Sequence, residues 1–172
     1  MPNQDNAKQF SVLERKYEDF KNSMPDKIAI VAVNFFKRNF ELQGFVDKGL
    51  TKWKPLSNPR DKGRKILGKR GVLKNAIKKF ETSRTKVVIG VGADVKYASL
   101  HNEGGMVKIT PKMRRYFWAM FKKTNEQYYK GLALTKKTHL DIPQRKYIGD
   151  SEGLVKAIDR LNIKELKIAL EK

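Results

Sequence analysis

Cysteine is absent from the 172 residues. Its absence excludes disulfide frameworks, thiol nucleophiles and cysteine-based zinc sites together. It is compatible with assembly in a reducing cytoplasm. Histidine is nearly as scarce: His101 and His139 leave too few imidazoles for a His-rich metal centre. No run approaches the ~18–20 uninterrupted apolar residues of a membrane helix, so no membrane partner is expected. The opening MPNQDNAKQF has neither a basic n-region nor an apolar h-region, and no secretion signal is expected from it. Acidic residues are the last shortage. Only 18 Asp and Glu stand against 38 Lys and Arg, a net charge of +20.

What is present follows from that imbalance. The length suits one domain with a real core, and with no internal repeat or low-complexity linker, residues 1–172 read as a single unit. Apolar residues at 40% fit a globular chain, and a mean hydropathy of −0.63 fits a soluble one. The excess charge sits in two places: Lys52–Lys86 carries +11 and Val107–Thr138 carries +8. These define a basic loop at about 52–70 and a basic, aromatic segment at about 107–138. Each is either a solvated face or a surface turned towards a polyanion, in practice nucleic acid.

Hydrophobic spacing predicts the elements. Phe10, Leu13, Tyr17 and Phe20 mark an amphipathic helix that Ser23-Met24-Pro25 should break. A second helix, roughly Pro25–Leu42, should be mostly buried, with Gly44 near its end. Asp47–Gly63, with its glycines and prolines, reads as a loop pinned to the core by Trp53. A short helix within Gly71–Lys79 should run into a strand near Ile77–Glu81, and Lys86–Val91 is a strand in which Gly90 permits a bulge. Val95–Glu103 reads as a helix closed by Gly104-Gly105. Val107–Thr110, Leu132–Leu134 and His139–Ile142 read as short strands, with Pro143 ending the last, and Met113–Tyr129 as a helix. Ser151 caps a C-terminal helix carrying Leu154, Val155, Ile158 and Leu161, which Asn162–Leu170 continues or restarts. The expected class is α+β: N-terminal helices and a C-terminal helix packed on a small, mainly antiparallel sheet.

No catalytic constellation is visible. His101-Asn102-Glu103 cannot supply three zinc ligands and reads as structural. Gly90-Val91-Gly92 follows a strand but lacks the third glycine of a dinucleotide fingerprint, so no cofactor is expected. The carboxylates are scattered, with no pair spaced for acid–base work. Met113–Lys123 interleaves aromatic and basic residues. Such a helix either packs its aromatic side on protein or stacks bases while its lysines meet phosphates.

Four stretches in order resemble the phage virion morphogenesis family, the Mu-like tail completion proteins. GFVDKGLTKWKPL, around Phe45–Leu56, is similar to the family's Gly-Phe, spacer, Trp-x-Pro-Leu. ILGKRGVLKNAI, Ile66–Ile77, is similar to its Ile-Leu, Thr-Gly-x-Leu and Ser-Ile, with Arg70 in the place of the threonine. VVIGVGADVKYASLHNEGG, Val87–Gly105, resembles a Val-x-Ile-Gly strand followed by Tyr-Ala (Tyr97, Ala98), a histidine (His101) and paired glycines (Gly104, Gly105). IPQRKYIG, Ile142–Gly149, resembles Ile-Pro-x-Arg-x-Phe-Ile-Gly, with Pro143 and Arg145 in register and Tyr147 for the Phe. The resemblance implies a non-enzymatic subunit that joins copies of itself in a ring, at the tail end or the neck of a virion. Tail, neck or portal proteins would be its partners, host cytoplasm and then the virion its location. DNA passing through such a ring would give non-specific contact, for which Lys62, Arg64, Lys65, Lys69 and Arg70 are the candidate DNA- or partner-facing residues. A free-standing non-specific nucleic-acid-binding protein is the alternative, and a small nuclease a more distant one.

Overall fold

The computed structural model describes residues 4–58, 61 and 63–171. The longest element is α1, Gln4–Leu42, one continuous helix with Pro25 inside it. Sequence reading expects two helices here, because a proline removes an N–H and crowds the preceding turn. Tertiary packing overrides it. Met24 and Pro25 are buried, in a region shared with Ile158, Ile163 and Leu166 of the C-terminal helix and with the turn at 83–87. Ion pairs flank the proline on both sides: Lys27 to Glu165 at 2.5 Å, Asp26 to Lys79 at 2.5 Å, and Glu18 to Arg84.

After α1 the chain turns at Gln43 and forms a hairpin, β1 (Gly44–Val46) with β2 (Leu50–Lys52). The expected loop from Asp47 therefore begins with a strand. The helix α2 (Val72–Asn75) leads into β3 (Ile77–Thr82), which pairs antiparallel with β4 (Val87–Val91). The bulge falls on β3 at Phe80, between Lys79 and Glu81, rather than at Gly90. Gly90 instead leaves room for the Phe80 ring, which a Cβ there would meet at 3.2 Å. Next come α3 (Ala98–Glu103) and β5 (Gly105–Lys108), which pairs antiparallel with β6 (His139–Ile142). Among the described residues the strands thus form three separate two-stranded ladders in an α+β fold.

Between β5 and β6 stands a helical hairpin, α4 (Pro111–Thr124) and α5 (Gln127–Leu134). Thr110 caps α4 by accepting from the Met113 N–H at 3.2 Å, and Asn125, at φ 55°, ends it. Leu132–Leu134 was expected as a strand and is helical. The cause lies outside the segment: the Arg114 guanidinium donates to the carbonyls of Ala133 and Thr135 at 3.0 and 2.7 Å, satisfying the end of α5. Phe117 turns inward, while Tyr116 and Trp118 stay exposed.

The last element, α6 (Glu152–Glu171), packs along α1. Ser151 caps it as expected, accepting from the Leu154 N–H at 3.0 Å while donating to the Val46 carbonyl at 2.8 Å. The core joins Phe36 and Phe40 of α1 to Phe45, Trp53, Leu73, Ile77 and Tyr147. Ile28–Phe36 is thereby largely covered within the chain, although Ile30 is exposed. The uncovered apolar stripe lies earlier on α1, at Phe10, Leu13 and Tyr17.

Candidate assembly site

Residues far apart in sequence meet around the segment Pro143–Gly149. Pro143 follows the end of β6, and the Arg145 N–H donates to the His101 carbonyl at 2.8 Å. The Asn102 Oδ1 accepts from the N–H groups of Tyr147 and Ile148, at 3.0 and 3.2 Å. The Tyr147 hydroxyl donates to the Ala98 carbonyl at 3.1 Å, and burial pushes that hydroxyl up to about 12, with Glu103 and Tyr97 adding to the shift. Trp53 donates its Nε1–H to the Lys146 carbonyl at 2.8 Å and meets Phe40 edge-on at 5.4 Å. Beneath all of these lies Asn39, wholly buried on α1. Its Nδ2 donates to the Tyr147 carbonyl at 3.0 Å, and its Oδ1 accepts from the Val46 N–H at 3.3 Å.

Gly104, at φ 76°, makes the crossing of α3 and this segment possible. A Cβ there would lie 2.8 Å from the Gln144 backbone nitrogen, closer than real side chains come. Gly105 begins β5 opposite Ile142. Tyr97 stays exposed, stacking edge-on with His101 at 5.6 Å. It does not enter the core; Ala98 packs against the core instead.

The basic loop is held at its far end. Ile66 is buried, and the Gln43 side chain binds its backbone on both sides, taking the Ile66 N–H and donating to the Ile66 carbonyl at 3.3 Å. The segment is therefore less free than its glycines imply. Arg64 pairs with Asp61 at 2.8 Å, while Lys65, Lys69 and Arg70 are exposed. Lys62 lies outside the described residues.

Where this loop approaches α3, a cavity of about 460 Å³ opens. Leu56, Leu67, Val72 and Leu73 form its apolar lining, and Arg64, Lys69, Arg70 and Arg145 its cationic one. Gly71, Tyr97 and His101 also line it. Burial, followed by the positive charge of Arg145, holds the His101 imidazole below its ordinary range, favouring its neutral form. Arg145 is 7% exposed, and among the described residues its side chain makes a single, long hydrogen bond, 3.4 Å to the Lys54 carbonyl. Among the described residues, its Nε is buried without a partner, as is the His101 Nδ1.

Sequence reading singled out Trp53, Ala98, His101, Gly104, Gly105, Pro143 and Arg145, and the fold brings them around one segment. It missed Asn39, Gln43 and Asn102, the three side-chain amides that tie the motifs together. Among the described residues, no group of three or more His, Asp or Glu is placed to hold a metal ion. No helix among them is long and apolar enough to cross a membrane.

The model of the phage virion morphogenesis family matches residues 5–167, nearly the whole chain. The chain belongs to that family. No curated protein and no solved structure matches it. Membership gives this protein a structural role in virion assembly, among other virion proteins. In this virion protein, all four motif stretches contribute residues to the core.

Proposed function

We propose that this protein forms a ring that completes the phage tail or joins it to the head, and that its basic loop docks on an acidic surface of the neighbouring tail or portal protein. The match over residues 5–167 carries the reading. Two features support its finer parts. Phe10, Leu13 and Tyr17 leave an exposed apolar stripe at helical spacing, suited to burial against a second copy. The loop's basic residues are presented from a segment fixed at Ile66, and a fixed cluster of one sign steers association with a surface of the other.

Two experiments test it. In particles from an inducible lysogen, antibody-gold labelling of the protein should mark the tail end or the neck. Virions with label elsewhere, or with none, would exclude a ring at that place. The second experiment replaces Lys62, Arg64, Lys65, Lys69 and Arg70 together with glutamine. Tails lacking completion, alongside a correctly folded variant, are the expected outcome. Completed tails that fail to retain or pass DNA would assign the loop to the lumen, where diffuse charge lets DNA slide. Wild-type yields at both steps would leave the loop a solvated face.

A further inference from the structure

The cavity between the basic loop and α3 has the chemistry of a binding site. Its charged lining among the described residues is of one sign: Arg64, Lys69, Arg70 and Arg145 contribute to it, and no carboxylate does. Arg64 has Asp61 as its partner, but Arg145 forms no ion pair among the described residues. A guanidinium taken out of water without a counter-charge is costly, because both its charge and its donors lose hydration. Burial accordingly lowers the Arg145 pKa. Yet the backbone around Arg145 is fixed from two sides, by the His101 carbonyl on its own N–H and by Asn102 on the Tyr147 and Ile148 N–H groups. The fold holds a cationic fork in place with donor capacity unused.

We infer that this cavity is a socket for a glutamate or aspartate side chain flanked by apolar residues, presented by an acidic segment of a neighbouring virion protein. Three observations select that occupant. Arg145 brings a planar guanidinium to the lining, and a carboxylate is the group that such a fork binds with two parallel bonds. The lining provided by Leu56, Leu67, Val72 and Leu73 favours hydrocarbon beside that carboxylate, which a phosphodiester chain does not offer. The volume, about 460 Å³, suits a few side chains, whereas a DNA duplex presents a convex backbone that needs an open groove. Because Gln43 and Ile66 fix the loop, little ordering is required when the segment enters.

The inference rests on the virion-assembly reading for the class of partner, but its test uses the purified full chain. Failure of the socket therefore leaves the assembly reading standing. The probe is a fluorescent octapeptide alternating leucine and glutamate, compared by anisotropy with its leucine–glutamine counterpart at near-physiological salt. The glutamate peptide should bind about tenfold tighter or more, as charge-assisted bonds replace neutral ones. Lys69→Gln with Arg70→Gln alters only exposed side chains and should weaken binding about tenfold. Lys156→Gln with Lys167→Gln, equal in charge change but on α6, should leave it within about twofold. Arg145→Lys retains the charge and loses the fork, so it should weaken binding while the rim residues remain. Should that variant fail to fold, the rim pair decides alone. Equal affinity for the two peptides overturns the proposal, as does equal weakening by the α6 pair. Tighter binding of oligothymidylate, lost in the same rim variant, would assign the cavity to nucleic acid instead.

Discussion

Trp53→Ala lowers the free energy of unfolding by about 3–5 kcal/mol in chemical denaturation, the ordinary range for emptying a large aromatic site in a core. Trp53 is 6% exposed, packed edge-on against Phe40, with its indole N–H given to the Lys146 carbonyl. Truncation opens a void beside Phe40 and leaves that carbonyl without its donor, so cavity and hydrogen-bond costs act together. Trp53→Phe separates them: it keeps most of the ring and loses the N–H, and should cost about 1–2 kcal/mol. The change also reaches the cavity. The Trp53 backbone N–H bonds to the Gln43 carbonyl at 2.9 Å, and the Lys54 carbonyl receives Arg145. Loosening this stretch should therefore reduce binding of an acidic peptide even where the variant remains folded. Unchanged stability in Trp53→Ala would mean that the indole is not part of the core.

Local periodicity carried the parts of the fold that obey it. The branched run Val87–Val91, the spacing along α6 and the Ser151 cap all specify their conformation within a few residues. The elements misread from sequence are those decided at a distance. Pro25 stays helical because α1 packs along α6 and against β3 and β4, with Met24 and Pro25 buried. Leu132–Leu134 is helical because Arg114, some twenty residues earlier, satisfies its carbonyls. The strand β2 is three exposed residues long and defined by its pairing with β1, so alternation had nothing to reveal. The basic loop carries two buried apolar residues, Trp53 and Ile66, and Gln43, the partner that fixes the second, lies 23 positions away. The candidate site divides along the same line. Trp53, the paired glycines and Pro143 were visible as residue types with strong local meaning. The burial of Arg145 was not, since nothing in its neighbours distinguishes a surface arginine from one set into a cavity.

Asn39 is the clearest case of a residue hidden in sequence, and its removal should be among the most damaging single changes. It occupies the same face of α1 as Phe36 and Phe40, where a hydrophobic pattern expects an apolar side chain. At 0% exposure it joins two segments more than a hundred residues apart, the Val46 N–H of β1 and the Tyr147 carbonyl. Asn39→Ala strips a buried donor and a buried acceptor of their partners. Each orphaned group costs about 1–3 kcal/mol, giving a loss of about 2–6 kcal/mol in unfolding free energy. Asn39→Asp distinguishes the two bonds. Its carboxylate still accepts from Val46 but faces the Tyr147 carbonyl with no proton to donate. Burial against that carbonyl raises the folded-state pKa of the new carboxyl, so its neutral form is favoured in the native protein. The variant should therefore be less stable at neutral pH and regain part of the loss as the medium is acidified, relative to wild type at each pH. Equal destabilisation of the two variants at every pH would show that the Tyr147 bond contributes little, and that Asn39 serves the β1 hairpin alone.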